Sequence, residues 1–304
     1  MDYVLETKGL CKQYRHFKAL NDLNMHVPSG SIYGFVGRNG AGKTTLIRLI
    51  TGLQEPTSGE FVLYGKKSTS KGVRKARKRT GAVVETPSIY MDMTAEDNLK
   101  AQYDTLGLPS YDGIEDILKL VGLSDTGKKK AKNFSLGMRQ RLGIAIALSG
   151  NPDFLILDEP VNGLDPQGIV EVRELILKLN REMGITVLIS SHILDELSRL
   201  ATHYGFIDKG HLVKEISAEE LESSCRKKIL VTVTDTEGLA RALDRLNLDY
   251  RITGKNTAEI YDDITVTSLS DASKEEGCAI ISMKRSDESL ESFFMNLVGG
   301  DAND

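Results

Sequence analysis

Gly37-Arg38-Asn39-Gly40-Ala41-Gly42-Lys43-Thr44, followed by Thr45, fits the pattern GxxxxGK[ST] and decides the fold. A compact apolar run, Ile32-Tyr33-Gly34-Phe35-Val36, leads into it. After it, the residues from Thr44 to Ile50 have helical spacing and stop at Gly52. Strand, glycine-rich loop and helix in that order are the context this motif requires. The glycines let backbone N–H groups wrap a phosphate, and the helix N-terminus adds its positive dipole end. In such a loop Lys43 reaches β- and γ-phosphates, and the Thr44 hydroxyl can ligate Mg²⁺.

Two further apolar runs, Phe154–Leu157 and Thr186–Ile189, read as buried parallel strands with an amphipathic helix, Gln167–Glu182, between them. Strands alternating with helices predict an α/β fold around a parallel sheet. Ligands of such sheets gather at the carboxyl ends of the strands. The first of these runs ends in Asp158-Glu159. Asp158 suits a Mg²⁺ site, because this ion takes a few carboxylates together with substrate phosphates. Glu159 is placed to polarise an attacking water. Ahead of the phosphate loop, Val4–Thr7 and Leu20–Val27 read as strands, and Glu60–Tyr64 follows a turn. From Thr94 to Leu148 the pattern is mostly helical, with breaks at Gly107-Leu108-Pro109 and around Gly127.

The 304 residues, 40% hydrophobic and 27% charged, suit about two globular domains. Apolar stretches of four or five residues fall far short of the roughly 18–20 a membrane span needs. Met1–Glu6 lacks the features of a signal peptide, and the scattered Cys11, Cys225 and Cys278 fit a reducing compartment. The net charge of −4 is uneven: residues 225–304 carry 10 basic and 15 acidic groups. The preceding part is nearly neutral, so no nucleic-acid partner is expected. The charge step places a domain boundary near Cys225, giving units 1–224 and 225–304. In the second, strands at Ile229–Val233, Tyr250–Thr253, Ala258–Tyr261 and Cys278–Met283 alternate with helices at Glu237–Leu246 and Val266–Glu276. A closing helix is expected at Asp287–Val298. The acidic unit reads as a small α+β fold of ferredoxin-like type.

Phe134-Ser135-Leu136-Gly137-Met138-Arg139-Gln140-Arg141 lies with Ser135 23 residues before Asp158. This segment resembles the signature motif of ABC-type ATPases, with Leu136 and Met138 in place of the usual Gly and Gln. Ser135 is placed to N-cap the helix that follows. Other positions match the family in order across roughly residues 3–220. Tyr14 corresponds to the aromatic that stacks on adenine, Asn162–Pro166 to the D-loop with Asp165, and His192 to the switch histidine. Glu85 stands where the family has its Q-loop glutamine. That departure looks like the bacitracin- and lantibiotic-resistance branch of exporters.

The resemblance implies a P-loop NTPase of ABC type, with a parallel-sheet core, an antiparallel β lobe and a helical signature subdomain. ATP would be held by Tyr14, the loop Gly37–Thr45, Glu85 and Asp165, with Ser135–Met138 supplied by a second nucleotide-binding subunit, a homodimer being expected. Mg²⁺ would be held by Thr44, Asp158 and Glu85. Glu159 and His192 would be catalytic. The implied partner is an integral membrane permease, the implied place the inner face of the cell membrane, and the implied cargo a drug or antimicrobial peptide. A soluble ABC ATPase of translation or DNA repair is the alternative. One phosphate loop, and no room for a coiled coil between Thr45 and Asn133, weigh against it. The basic runs Lys71–Arg79 and Lys128–Lys130 read as solvated surface, or as contacts for lipid headgroups or acidic loops.

Overall fold

Unbroken apolar strands need cover on both faces, and the chain supplies it by alternating them with helices. The computed structural model describes residues 2–224, 228–286, 293–295 and 297. The chain opens with β1 (Tyr3–Tyr14), β2 (Phe17–Leu23), β3 (His26–Pro28), β4 (Ile32–Val36) and α1 (Lys43–Thr51). Then come β5 (Ser58–Leu63), β6 (Lys66–Lys67), α2 (Val73–Arg77) and β7 (Thr80–Val83). A helical section holds α3 (Ala95–Leu106), α4 (Ile114–Leu120) and α5 (Leu136–Leu148). After it lie β8 (Phe154–Asp158), α6 (Pro166–Met183), β9 (Thr186–Ser191), α7 (Leu194–Ser198), β10 (His203–Asp208) and β11 (His211–Ser217). These belong to a compact unit spanning Met1–Ala218.

Two sheets build that unit. β2, β1, β5 and β6 pair in that order, with β3 also on β1, as an antiparallel lobe. The larger sheet runs β11-β10-β4-β9-β8-β7, parallel except for the edge strand β11. All residues of β4, β8 and β9 are buried, which is why their sequences do not alternate. This order sets β4, β9 and β8 side by side, with Val36 opposite Ser191 and Asp158 opposite Ser190. The ends of all three chemically marked strands therefore converge on one edge.

The hairpin of β10 and β11 carried no clear sequence signal, because Gly205 interrupts its apolar run. The ring of Tyr33 fills the space a side chain at 205 would need. Its hydroxyl donates to Glu215 Oε1 at 2.6 Å, and burial pushes the phenol well above its ordinary pKa. The basic run around residue 75 is likewise a short helix, α2, held by buried Val73 and Ala76.

A second compact unit spans Glu219–Asp304. After α8 (Ala218–Ser224) it contains β12 (Lys228–Val233), α9 (Thr236–Arg245), β13 (Tyr250–Ile252), β14 (Thr257–Ile260), α10 (Val266–Glu275) and β15 (Ile280–Ser286). The antiparallel order β13-β14-β12-β15 with βαββαβ connectivity is the ferredoxin-like arrangement. Alternation in β12 turns Ile229, Val231 and Val233 onto Leu239, Leu243, Ile260 and Leu269. Asp235 caps α9 by accepting from Glu237 and Gly238 N–H at 3.2 and 3.0 Å. Cys225 lies outside the described residues, and so does the expected closing helix 287–298 apart from helical 293–295 and 297.

Candidate active site

The loop between β4 and α1 demands glycine at two of its positions. A Cβ at Gly37 would fall 2.6 Å from the Ile207 carbonyl oxygen. At Gly42, φ is +116° and a Cβ would fall 2.5 Å from the Ala19 carbonyl oxygen. Only glycine meets both demands. The helix that follows opens at Lys43, so its first N–H groups point back into the loop. Ala41 is buried in the core and its N–H donates to Arg38 O at 3.1 Å, so its side chain does not reach a ligand.

Lys43 is buried, and its ammonium donates to the carbonyls of Gly37 at 2.7 Å and Arg38 at 3.3 Å. It also stands 3.1 Å from Glu159 Oε1. The other oxygen of Glu159 is 2.7 Å from His192 Nδ1. Glu159 has φ +49°, a left-handed conformation that a non-glycine residue adopts only when its surroundings enforce it. Here β9 enforces it: Glu159 N–H donates to Ser190 Oγ at 3.0 Å and to Ser190 O at 3.2 Å. Ser190 Oγ in turn donates to Asp158 Oδ1 at 2.5 Å.

Asp158 is 1% exposed, and its Oδ2 is buried with no hydrogen-bond partner among the described residues. A buried carboxylate oxygen left unpaired is costly, and a hard cation satisfies it. Among the described residues no three His, Cys, Asp or Glu could hold a metal by themselves. A Mg²⁺ held by Asp158 would need further oxygens from other donors, with substrate phosphates its ordinary preference.

Lys43 and Glu159 border an open cleft of about 310 Å³ with Tyr14, Gly40, Thr44 and Thr45, whereas Asp158 and His192 are outside its lining and connect to it through Ser190 and Glu159. The Tyr14 hydroxyl is held by Gln54 Oε1. Phe17, the strand partner of Tyr14 across the β1–β2 turn, also lines the cleft and is 61% exposed. Cation, loop amides, buried carboxylate and exposed rings together suit a polyphosphate carrying a planar base.

Not all expected residues meet in that cleft. Ser135 N-caps α5, its Oγ accepting from Met138 N–H at 3.2 Å. Leu136 is half exposed and lies near Gly163, and Gly137 faces Gly168 and Leu164. Asp165 caps α6, accepting from Gly168 N–H at 3.1 Å. Residues 135–138 and 165 thus sit beside one another, outside the lining of the phosphate-loop cleft. Glu85, at φ +59°, pairs with Arg48 of α1 and borders a different cleft, of about 360 Å³, with Pro87 and Gly143.

Sequence reading missed Ser190, Phe17, Gln54 and Arg48. For Phe17 an aromatic three residues after Tyr14 across a polar turn was a usable signal. For Ser190 it was a pair of serines ending an apolar strand. Arg48 and Gln54 gave none, since tertiary packing alone selects them. Among the described residues no helix is long and apolar enough to cross a membrane.

A family model described as ABC transporter matches residues 20–162. The bacitracin transport ATP-binding protein BcrA of Enterococcus faecalis is 39% identical over 305 residues, covering 99% of this chain and 98% of that protein. The lantibiotic transport ATP-binding protein SrtF of Streptococcus pyogenes is 43% identical over 230 residues, covering 75% of this chain and 98% of its own. Among solved structures, a dimeric ATP-binding cassette in a post-hydrolysis state with ADP and Pi aligns with TM-score 0.63 at 25% identity. It covers 70% of this chain and 98% of that one.

Proposed function

The chain belongs to the ATP-binding subunits of ABC transporters, and from that premise we propose that it powers export of an antimicrobial peptide through a separate membrane permease. It is an ATPase with an ABC-type α/β cassette. The peptide cargo is argued from relatives: BcrA is named for bacitracin transport and matches both units, whereas SrtF is named for lantibiotic transport.

The observation that carries the mechanism is the Lys43–Glu159–His192 chain of contacts at the end of three parallel strands. Backbone amides of Gly40, Gly42, Lys43 and Thr44 and the Lys43 ammonium bind the β- and γ-phosphates. An arriving phosphate competes with Glu159 Oε1 for that ammonium and so frees the oxygen to take a proton from the attacking water. His192 holds the second oxygen and keeps the carboxylate aimed. Tyr14 and Phe17 supply the faces against which the base stacks. Mg²⁺, when bound by Thr44 and Asp158, neutralises phosphate charge. Glu85, oriented by Arg48, would be a further oxygen ligand within this reading.

The separation of Ser135–Met138 from the phosphate loop supports a head-to-tail pair. Each site would join one copy's loop to the partner copy's α5 N-terminus, where helix amides meet the γ-phosphate. The pair would stand at the inner face of the membrane beside its permease. The test is a strain carrying the intact operon and one in which this chain is Glu159→Gln, each challenged with bacitracin-like and lanthionine peptides. Loss of protection against at least one class is expected. Equal susceptibility of both strains to every peptide, with the permease expressed, would remove the export reading.

A further inference from the structure

We propose that the basic face around α2 is a docking surface for an anionic lipid bilayer. The sequence shows an undifferentiated run of cations, and the structure divides it into two sets. Arg77 turns inward: its Nε and Nη2 donate to the carbonyls of Ile50 and Leu49 at 2.8 and 3.2 Å, and its guanidinium lies over Phe61. Arg79 stacks on Tyr64 at 4.0 Å and bonds Asp153 at 2.6 Å. Those two are structural.

The rest faces water. Lys66, Lys67, Lys71, Arg74, Lys75 and Lys78 are all exposed. The β5–β6 turn folds Lys66 against the start of α2, where a Cβ at Gly72 would lie 3.3 Å from Lys66 Cδ. Six cations therefore share one region, and Glu60, bound to Lys67 at 3.0 Å, is the one acid paired with any of them among the described residues. Lys100 and Lys132, by contrast, pair with Glu96 and Asp92.

The chemistry selects the occupant. Four to eight clustered Lys and Arg are what an anionic leaflet attracts, each strengthening binding by about fivefold near the surface. Long lysine stems suit a diffuse layer of headgroups better than a fixed set of acids. A nucleic acid is disfavoured, because the nearby rings are taken: Phe61 is buried and Tyr64 lies under Arg79, so neither can stack on a base. The surface stands on charge alone. It also accords with the proposed function, which puts the chain beside a bilayer.

The experiment sediments the purified full chain with vesicles of phosphatidylcholine alone, or of phosphatidylcholine mixed with phosphatidylglycerol, without permease. Binding to the mixed vesicles, its loss on raising the salt, and absence of binding to neutral vesicles are expected. The Lys71→Glu/Lys75→Glu/Lys78→Glu variant should bind at least about tenfold more weakly while keeping its ATP turnover, since none of the three touches the cleft. A Lys→Gln set at the same positions should fall in between, which separates charge from misfolding. Equal binding to both vesicle types, or wild-type binding by the reversed variant, overturns the proposal. So does binding to the mixed vesicles that raised salt leaves unchanged. Failure here with peptide protection intact leaves the export reading standing.

Discussion

Glu159 is held at both oxygens and in a backbone conformation it would not choose, so its substitutions separate charge from shape. Glu159→Gln keeps the size and removes the proton acceptor. ATP binding should persist, turnover should drop by about 10²–10⁴, and size-exclusion with MgATP should show an enlarged, long-lived species. A variant that hydrolyses normally would refute the base assignment. Arg48 and Glu85 form a second residue-scale test. Glu85→Gln should retain ATPase activity within about tenfold, near 1.4 kcal/mol of barrier. Arg48→Ala should slow turnover in the native background but add nothing to Glu85→Gln, a non-additivity that steady-state assays of the four proteins would read. Lys43, Asp158, Glu159 and His192 were legible because short motifs at strand ends carry them. Ser190 and Arg48 were not, because strand register and helix packing choose them and no local pattern records that choice.

Two glycines on α5 separate packing from function. A Cβ at Gly143 would fall 2.5 Å from Pro87 Cβ, on a rigid ring next to the Glu85 loop. Gly143→Ala should therefore cost about 1–3 kcal/mol and lower the melting temperature, despite better helix propensity. A Cβ at Gly137 meets nothing closer than 3.7 Å. Gly137→Ala should melt no lower than wild type, and a loss of ATPase there would support the proposed contact with a second copy. Unchanged melting for Gly143→Ala would mean that α5 and Pro87 do not pack closely against each other. At this scale β4, β8 and β9 were plain, because burial on both faces forbids alternation. The β10–β11 hairpin was hidden, since Gly205 makes room for the ring of Tyr33, far away in sequence. Helix α2 was hidden too, because only Val73 and Ala76 mark its inner side.

The two units have separate cores, and the larger sheet finds all its strands before residue 218. A chain ending at 224 should fold and bind ATP as the full chain does, measured by circular dichroism and nucleotide titration. Insolubility, or loss of nucleotide affinity, would show that the acidic unit completes the cassette. The charge step pointed to a boundary near 225, whereas the compact units divide between Ala218 and Glu219; alternation with capping made the second fold legible. Its task was not, because its residues serve caps, core and ion pairs such as Lys228–Glu259, which holds that carboxyl below its usual range. One arrangement reaches beyond the single molecule. In the head-to-tail pair proposed above, Ser135–Met138 of one copy would complete the Lys43 site of the other, so a copy defective in either place would spoil a site it shares with a sound neighbour. Paired at random, a mixture would leave only a minority of pairs wholly intact. A damaged allele expressed beside the normal one would then act dominantly, and a cell carrying both would lose more protection than its count of good copies suggests.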